Sequence, residues 1–251
     1  MSDLFWLSGQ QLGRIKPSFP LSHGMPRVDD RRVISGIIFV IKNGLRWCDA
    51  PSEYGPPKTL YNRFVRWSRL GVFNRIFAEL AGQAGEPDRL MIDATHLKAH
   101  RTAASLLKKG LFPRRIGRTK GGLNSKLHAV CDGQGRPLLM LLSEGQMSDY
   151  KGAALLIDDL PKAKELIADK GYDSDWFRAA LAAKNITACI PPRKGRKVQH
   201  PYDPVLYKQR HKVENLFGRL KDWRRIHTRY DRCAHTFMSA ICIAATVCYW
   251  L

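Results

Sequence analysis

Four polar side chains in the segment 207–221 are of types that can bind a metal ion or a phosphate group. The segment contains no proline and its apolar residues recur with the period of an α-helix, so it is predicted to be helical. At about 100° per residue, these four side chains share a face roughly 60° wide. They are Tyr207, Arg210, Glu214 and Lys221. An ordinary i, i+4 ion pair between Arg210 and Glu214 on a solvated face would have the same spacing, so the helix alone leaves both interpretations open.

Two further acids follow apolar runs. Asp93 lies in a predicted strand, on the same face as Thr95, and Asp169 ends a predicted buried parallel strand. A carboxylate in such a place is costly to bury unless it is paired or bound to a metal ion, although either acid could accept a local hydrogen bond instead. Sites are often built at the carboxyl ends of parallel strands. Asp173 and Asp175 are weaker candidates. They fall in a turn and at the predicted N-cap of the next helix, where aspartate commonly has a purely structural role.

The elements that position these acids alternate in a definite order. Apolar runs and an Asp-Gly turn predict three strands, and two further strands alternate with helices. The predicted order is β-β-β-α-β-α-β-α, with strands at 90–97, 126–132, 136–143, 165–168 and 186–190 and helices near 151–159, 176–184 and 207–221. The three acids then fall on the first strand, at the end of the fourth strand and on the last helix.

The first 80 residues are predicted to be helical. Residues that cap or break helices mark the ends of one predicted helix at 29–42 and of a second, basic helix at 58–69. The pair fits a helix-turn-helix whose second helix enters the major groove of DNA, or a plain two-helix packing unit with a solvated basic side. Under the first interpretation, the DNA-contacting residues of the second helix are Lys58, Arg63 and Arg66. A plausible linker at 82–87 divides the chain into domains 1–82 and 88–251.

The composition favours a polyanionic partner. The 251 residues include 42 Lys and Arg against 22 Asp and Glu, a formal net charge of +20. Such a surface binds a polyanion tightly, because the phosphates that it neutralises release their counterions. The stretch 100–122 is predicted to be a mobile basic loop, either solvated or lying along a phosphate backbone. Six cysteines without zinc-site spacing favour free thiols in the cytoplasm. The apolar segment 237–251 is shorter than the roughly 20 residues that span a bilayer, which predicts a buried helix and no membrane anchor.

Together, these motifs resemble those of the DDE transposases of bacterial insertion sequences. The subgroup pattern Y-x2-R-x3-E-x6-K is matched by the four residues of the 207–221 helix. The stretches 92–95 and 168–173 resemble the first-acid and second-acid motifs, and the first 80 residues resemble the family's N-terminal domain. The resemblance implies an α/β fold, in which a ribonuclease-H-like mixed-sheet catalytic domain follows a small all-α, helix-turn-helix-like domain.

The resemblance also implies a reaction and its residues. Asp93, Asp169 and Glu214 would together hold two Mg²⁺ or Mn²⁺ ions, about 4 Å apart, for in-line phosphoryl transfer. Arg210, Lys221 and Tyr207 would contact double-stranded DNA, so that no Arg210–Glu214 salt bridge is needed. We expect a nucleoid-associated homodimer that binds terminal inverted repeats, cleaves DNA and joins the 3′-OH ends to target DNA. The alternatives are a non-catalytic DNA-binding protein and a ribonuclease-H-like nuclease without strand transfer.

Four other polar residues near these motifs are weaker candidates. Hydrogen-bonded structural roles are favoured for His96 and His128 over substrate contact. Asp149 is expected to be a helix N-cap, and Asp132 a turn residue.

Overall fold

The computed structural model describes residues 3–21, 27–105 and 113–251, and its contacts divide the chain into two compact units. The first unit comprises residues 1–80, 100–114 and 220–251, and the second comprises 81–99 and 115–219. Because the C-terminal residues belong to the first unit, neither unit is one continuous stretch of chain. The domain boundaries at 82 and 88 remain a prediction.

The helices and strands follow one another in the order that the chain predicts, with several short additions. The α-helices are α1 (Gly9–Ile15), α2 (Asp30–Asn43), α3 (Pro57–Arg69), α4 (Val72–Gly82), α5 (Arg101–Ala104), α6 (Asp149–Leu156), α7 (Asp175–Ala183), α8 (Pro204–Tyr207), α9 (His211–Lys221), α10 (Arg224–His227) and α11 (Ala234–Tyr249). The strands are β1 (Arg89–Ala99), β2 (Gly117–Thr119), β3 (Gly122–Asp132), β4 (Pro137–Glu144), β5 (Glu165–Ile167), β6 (Thr187–Cys189) and β7 (Thr228–Arg229).

The first unit is a helical bundle whose main helices begin and end where the sequence predicts. Asp29 caps α2 by accepting from the backbone N–H groups of Arg31 and Arg32, and Gly44 ends it with a φ of 72°. The central residues of α2 are buried against α3 and α11. The predicted C-terminal helix is present as α11, and its residues from 239 to 246 are buried. Among the described residues, no helix combines the length and hydropathy needed to cross a bilayer.

The connection between α2 and α3 differs from that of a helix-turn-helix motif. Residues 44–56 join the two helices and contain two 3₁₀ turns, at Trp47–Asp49 and Ser52–Tyr54. A helix-turn-helix joins its helices through a turn of about three or four residues. The helix-turn-helix interpretation is therefore unconfirmed, and the plain packing of two helices accounts for the observed connection.

The second unit is built on the predicted mixed sheet, which the structure confirms. Its strands lie in the order β2-β3-β1-β5-β6, with β4 paired to β3 beside β2. The first long strands are antiparallel, whereas β1, β5 and β6 run parallel to one another. The short strand β2 and the helix α5 occupy described parts of the predicted loop 100–122. Lys108 and Lys109 of that loop lie outside the described residues.

The two faces of the sheet have different neighbours. Leu90, Ile92 and Val130 lie on one face, in a core shared with α6, α7 and their flanking loops. Alternation along β1 places Met91, Asp93 and Thr95 on the opposite face. Asp93 is therefore directed away from the core beneath α6 and α7, on the face where Arg210 contacts it.

The predicted helix 207–221 is interrupted. The helix α8 ends at Tyr207, a 3₁₀ turn covers Lys208–Arg210, and α9 begins at His211. A 3₁₀ turn has about three residues per turn instead of 3.6, so the angles of a continuous wheel do not hold across it. The segment is therefore not one continuous α-helix. Side chains three residues apart eclipse in a 3₁₀ turn, so Tyr207 and Arg210 still fall on one side, and the shared face of the four residues stays a prediction.

Candidate active site on the mixed sheet

Asp93 lies in the middle of β1, where the sheet leaves room for a carboxylate. Its neighbour across the antiparallel pair with β3 is the small, buried Ala129. One carboxylate oxygen accepts a hydrogen bond from the backbone N–H of Ala94, at 2.8 Å. Burial raises the pKa of Asp93, the charge of Asp169 adds to the rise, and the Ala94 hydrogen bond and Arg210 only partly oppose it. Asp93 is thus an acid whose negative charge is under-compensated by the protein.

Asp169 lies next to Asp93 through the strand register. In the parallel pair of β1 and β5, Met91 is opposite Ile167, and each acid comes two residues later. Side chains two residues apart share a face of a strand, so the register directs both acids to one side. Asp169 is half-buried and accepts the backbone N–H of Gly171, at 2.8 Å, at the start of a 3₁₀ turn.

Glu214 is connected to Asp93 through Arg210. The guanidinium donates from Nη1 to Asp93 Oδ2, at 2.6 Å, and from Nη2 to Glu214 Oε1. Burial lowers the pKa of Arg210, but the charges of Asp93 and Glu214 outweigh this and raise it. Arg210 and Glu214 thus form the i, i+4 ion pair that the resemblance makes unnecessary once metal ions and DNA are bound. The arginine bridges the two acids and compensates the charge of Asp93 only in part.

The three acids fit a hard divalent cation by their chemistry, with one rearrangement. Within the described ranges of the chain, no three His, Cys, Asp or Glu side chains converge as a ready metal site. Carboxylate oxygens are the ligands that Mg²⁺ and Mn²⁺ prefer, and the under-compensated charge of Asp93 favours a cation beside it. Arg210 contacts one oxygen of Asp93 and one of Glu214, so a metal ion shared by these acids requires the guanidinium to move.

The predicted DNA-contacting residues lie in several places. Tyr207 packs edge-on against Tyr202, with ring centroids 5.7 Å apart. Lys221 ends α9 in the first unit, and burial lowers its pKa. On α3, Lys58 and Arg66 are exposed and remain candidates.

Arg63 does not fit the predicted DNA contact. Its side chain is 11% exposed, forms a 2.5 Å ion pair with Asp30, and lies over the ring of Trp67 at 4.9 Å. These contacts hold α3 to α2. Because the guanidinium is committed inside the bundle, the structure assigns Arg63 a structural role instead of a place on a DNA-binding surface.

The weaker candidates have structural roles. His96 bonds the backbone oxygen of Gly145, and His128 is fully buried against Ser143 Oγ, each at 2.9 Å. Burial, together with the charge of Lys126, lowers the pKa of His128 to about 4. Asp132 accepts from the backbone of its own turn, as predicted.

Asp149 corrects a detail of the predicted caps. The N-cap of α6 is Ser148, whereas Asp149 is the first residue of the helix and forms a 2.6 Å ion pair with Lys126. Likewise, α7 is capped by Ser174, one residue before Asp175. Serine and aspartate cap helices about equally well, so neighbouring Ser-Asp pairs leave the cap position undecided in sequence.

Asp173 has a larger structural role than a turn residue. Its side chain is fully buried and bonds Arg178 Nε at 2.9 Å, Arg196 Nη1 at 3.2 Å and the backbone N–H of Arg193 at 2.8 Å. Arg193 in turn donates to the backbone oxygens of Lys170 and Gly171, at 3.0 and 2.7 Å. Asp173 therefore fastens the basic loop 193–197 to the turn that Asp169 begins.

Tyr172 was not singled out from the sequence. It is 1% exposed, and its hydroxyl has no hydrogen-bond partner within the described residues. Burial raises its pKa, and the charges of Asp149, Asp93 and Asp169 add to the rise. The burial of Tyr172 could have been predicted only from apolar residues around it in the sequence. The polar D-K-G-Y-D turn in which it lies does not provide such a signal.

Two family models match the chain. The model described as "Putative transposase of IS4/5 family" matches residues 7–77, and the model described as "Transposase DDE domain" matches residues 84–249. The second match covers more than half of the chain and includes all three candidate acids.

Two curated relatives and one solved structure are similar to the chain. It is 35% identical over 130 residues to the "Putative transposase for insertion sequence element IS6501" of Brucella ovis, covering 51% of this chain and 99% of that protein. It is 30% identical over 184 residues to the "Putative transposase for insertion sequence element IS402" of Burkholderia cepacia, covering 66% and 79%. The piggyBac transposase synaptic complex with hairpin DNA matches with a TM-score of 0.53 and 10% identity, covering 94% of this chain and 69% of that one. The last match confirms the ribonuclease-H-like fold.

Proposed function

Because the chain belongs to the DDE transposase family, with a family match over residues 84–249, we propose that it is an insertion-sequence transposase that cleaves DNA at the ends of its element and joins the 3′-OH ends to target DNA. The observation that carries this proposal is the arrangement around Asp93. It is an acid with a raised pKa, beside Asp169 and joined to Glu214 by a single guanidinium.

The proposed reaction assigns separate tasks to the acids and to Arg210. Asp93, Asp169 and Glu214 would hold two Mg²⁺ or Mn²⁺ ions, which supply Lewis-acid stabilisation of the attacking and leaving oxygens of a phosphoryl transfer. Arg210 would leave the acids and bind a phosphate oxygen of the DNA, for which a guanidinium fork is well suited. The carboxylates and the arginine thus exchange partners when the site is loaded.

Double-stranded DNA is the proposed partner, both as element ends and as target. The formal net charge of +20 supports a polyanionic ligand. Lys58 and Arg66 on the exposed side of α3, and Tyr207 and Lys221 around α9, are the proposed further contacts. Terminal inverted repeats would be recognised by a homodimer, because two ends must be brought together for joining.

Glu214→Gln tests the proposal directly, because it keeps the shape of the side chain and removes its charge. We expect Mg²⁺- or Mn²⁺-dependent cleavage of DNA carrying the element's own inverted repeats to fall more than about 100-fold, since even the residues that hydrogen-bond to metal ligands contribute about 10- to 100-fold and Glu214 is a proposed ligand itself. End binding in a gel shift should persist. Glu165→Gln is the matched control, because it breaks a comparable Arg–Glu pair, 2.9 Å from Arg89, away from the three acids.

The outcomes separate the competing functions. Unchanged cleavage by Glu214→Gln would remove Glu214 from the active site. A wild-type protein that binds the ends and never cuts them would support the non-catalytic DNA-binding alternative. Cutting without any joining to target DNA, measured by a labelled-end strand-transfer assay, would support the nuclease alternative.

A further inference from the structure

A pocket beside Asp169 contains cations that the reaction described above does not use. Its volume is about 360 Å³, and it is lined by Asp169, Lys170, Gly171, Arg193 and Lys194. This size lies within the range of cavities that bind small ligands, large enough for one nucleotide-sized group. Three of the five lining residues are basic, so the pocket suits an anion despite the presence of Asp169.

The two lysines of this pocket differ from other exposed lysines of the same unit. Lys162 and Lys164 form ion pairs with Glu86 and Asp88, at 3.7 and 2.9 Å. Within residues 3–21, 27–105 and 113–251, no acidic partner lies within ion-pair distance of the ammonium group of Lys170 or Lys194. Both side chains are exposed. Their charge is therefore available to a ligand without breaking an existing pair.

The backbone of the pocket is held in place although its lysines are exposed. Arg193 bonds the backbone oxygens of Lys170 and Gly171, and its own backbone N–H is held by Asp173. Lys194 is the next residue along the chain. The two lysines thus lie on two segments that Arg193 joins directly, which favours a built anion site over a solvated loop.

We propose that this pocket holds a DNA phosphate neighbouring the one that is cleaved, through Lys170 and Lys194. The inference rests on the proposed function, since Asp169 at the pocket's edge is one of the acids that act on the scissile phosphate. A nucleic acid strand that places one phosphate at the acids carries the next phosphates past this pocket. The lysines supply point charges that tolerate any base sequence, so they position the strand without reading it.

The test compares Lys170→Gln/Lys194→Gln with the control Lys162→Gln/Lys164→Gln, which removes the same charge from another part of the unit. Binding to element-end DNA is measured by fluorescence anisotropy over a range of NaCl concentrations in EDTA. We expect the pocket variant to reduce the slope of log K against log salt by about 1 for each lysine, and the control to change it much less. Equal slopes for the two double variants would overturn the proposal.

A scan with neutral methylphosphonates identifies the phosphate. Each linkage near the cleaved bond is replaced in turn, and we expect one linkage whose neutralisation weakens wild-type binding and has no further effect on the pocket variant. If no linkage shows this dependence, the pocket does not hold a phosphate. If the wild type cleaves the ends while the pocket variant behaves like the control, only the pocket assignment fails. If the wild type neither binds nor cleaves the ends, the transposase function and the pocket assignment fail together.

Discussion

Asp93→Asn is expected to reduce DNA cleavage by at least about 10³-fold while raising the melting temperature of the metal-free protein. The loss of activity follows from removing one of the three acids that would hold the metal ions, and single residues of a catalytic set often have effects of this size. The gain in stability follows from the raised pKa of Asp93, because the folded protein holds the ionised carboxylate less favourably than water does.

The gain should depend on pH in a definite direction. A carboxyl whose pKa is higher in the folded state binds more protons there, so its contribution to stability falls as pH rises from the ordinary aspartate value, about 4, through the folded value. Asparagine has no such titration. The melting temperatures of wild type and Asp93→Asn should therefore be similar at low pH and diverge towards neutral pH, with the variant higher.

Thermal unfolding in EDTA and in Mg²⁺ measures both effects. We expect Mg²⁺ to stabilise the wild type and not the variant. Asp132→Asn is the control, since Asp132 lies in the same sheet but its carboxylate is satisfied by Arg136 and by its own turn. That change should lower the melting temperature and retain cleavage. A lower melting temperature for Asp93→Asn at neutral pH would show that Arg210 compensates the charge of Asp93 fully.

The sheet could be predicted from sequence because its signals are local. The apolar runs, the Asp-Gly turn and the alternation along β1 locate the strands and assign Asp93 to a face. The proximity of Asp93 and Asp169 then follows from register, since their strands pair in parallel with Met91 opposite Ile167. Sequence could place Asp93 within a strand and Asp169 at the end of another, but only the pairing shows that each lies two residues beyond the paired Met91 and Ile167.

Other features depend on contacts that no local pattern encodes. The 3₁₀ turn at Lys208–Arg210 interrupts a segment that the apolar period predicts to be helical, and Arg210 in that turn contacts an acid 117 positions earlier. Arg63 has the spacing of an exposed helical cation, yet Asp30 and Trp67 enclose it. The sequence also lacks any signal that Asp173 is buried, because its three partners come from residues up to 23 positions away.

Asp173→Ala is expected to destabilise the second unit by about 3 kcal/mol or more. Removing one partner of a buried ion pair leaves uncompensated charges, here those of Arg178 and Arg196, whose side chains are 12% and 14% exposed. Asp175→Ala is the matched control, since Asp175 also pairs with Arg196 but is 90% exposed, and a surface pair contributes about 1 kcal/mol or less. Urea unfolding of the two variants against wild type gives the comparison.

The pH dependence of the Asp173 effect has the opposite sign to that of Asp93. Burial raises the pKa of Asp173, but the Arg193 backbone N–H and the charges of Arg178 and Arg196 outweigh it, so the net shift is downward. The stability it contributes is present above the ordinary aspartate value and is lost as pH falls through the lower folded value. The difference in unfolding free energy between wild type and Asp173→Asn should accordingly shrink as the solution is acidified.

Trypsin distinguishes a local effect from a global one. Asp173 holds Arg193 and Arg196, which lie in the basic loop 193–197, so its loss should expose that loop to cleavage after arginine or lysine under conditions where the sheet remains folded. Asp175→Ala should leave the loop as resistant as in the wild type. Equal cleavage of both variants would mean that Asp173 does not fasten the loop, and the position of Lys194 beside Asp169 would then depend on the bonds from the Arg193 side chain alone.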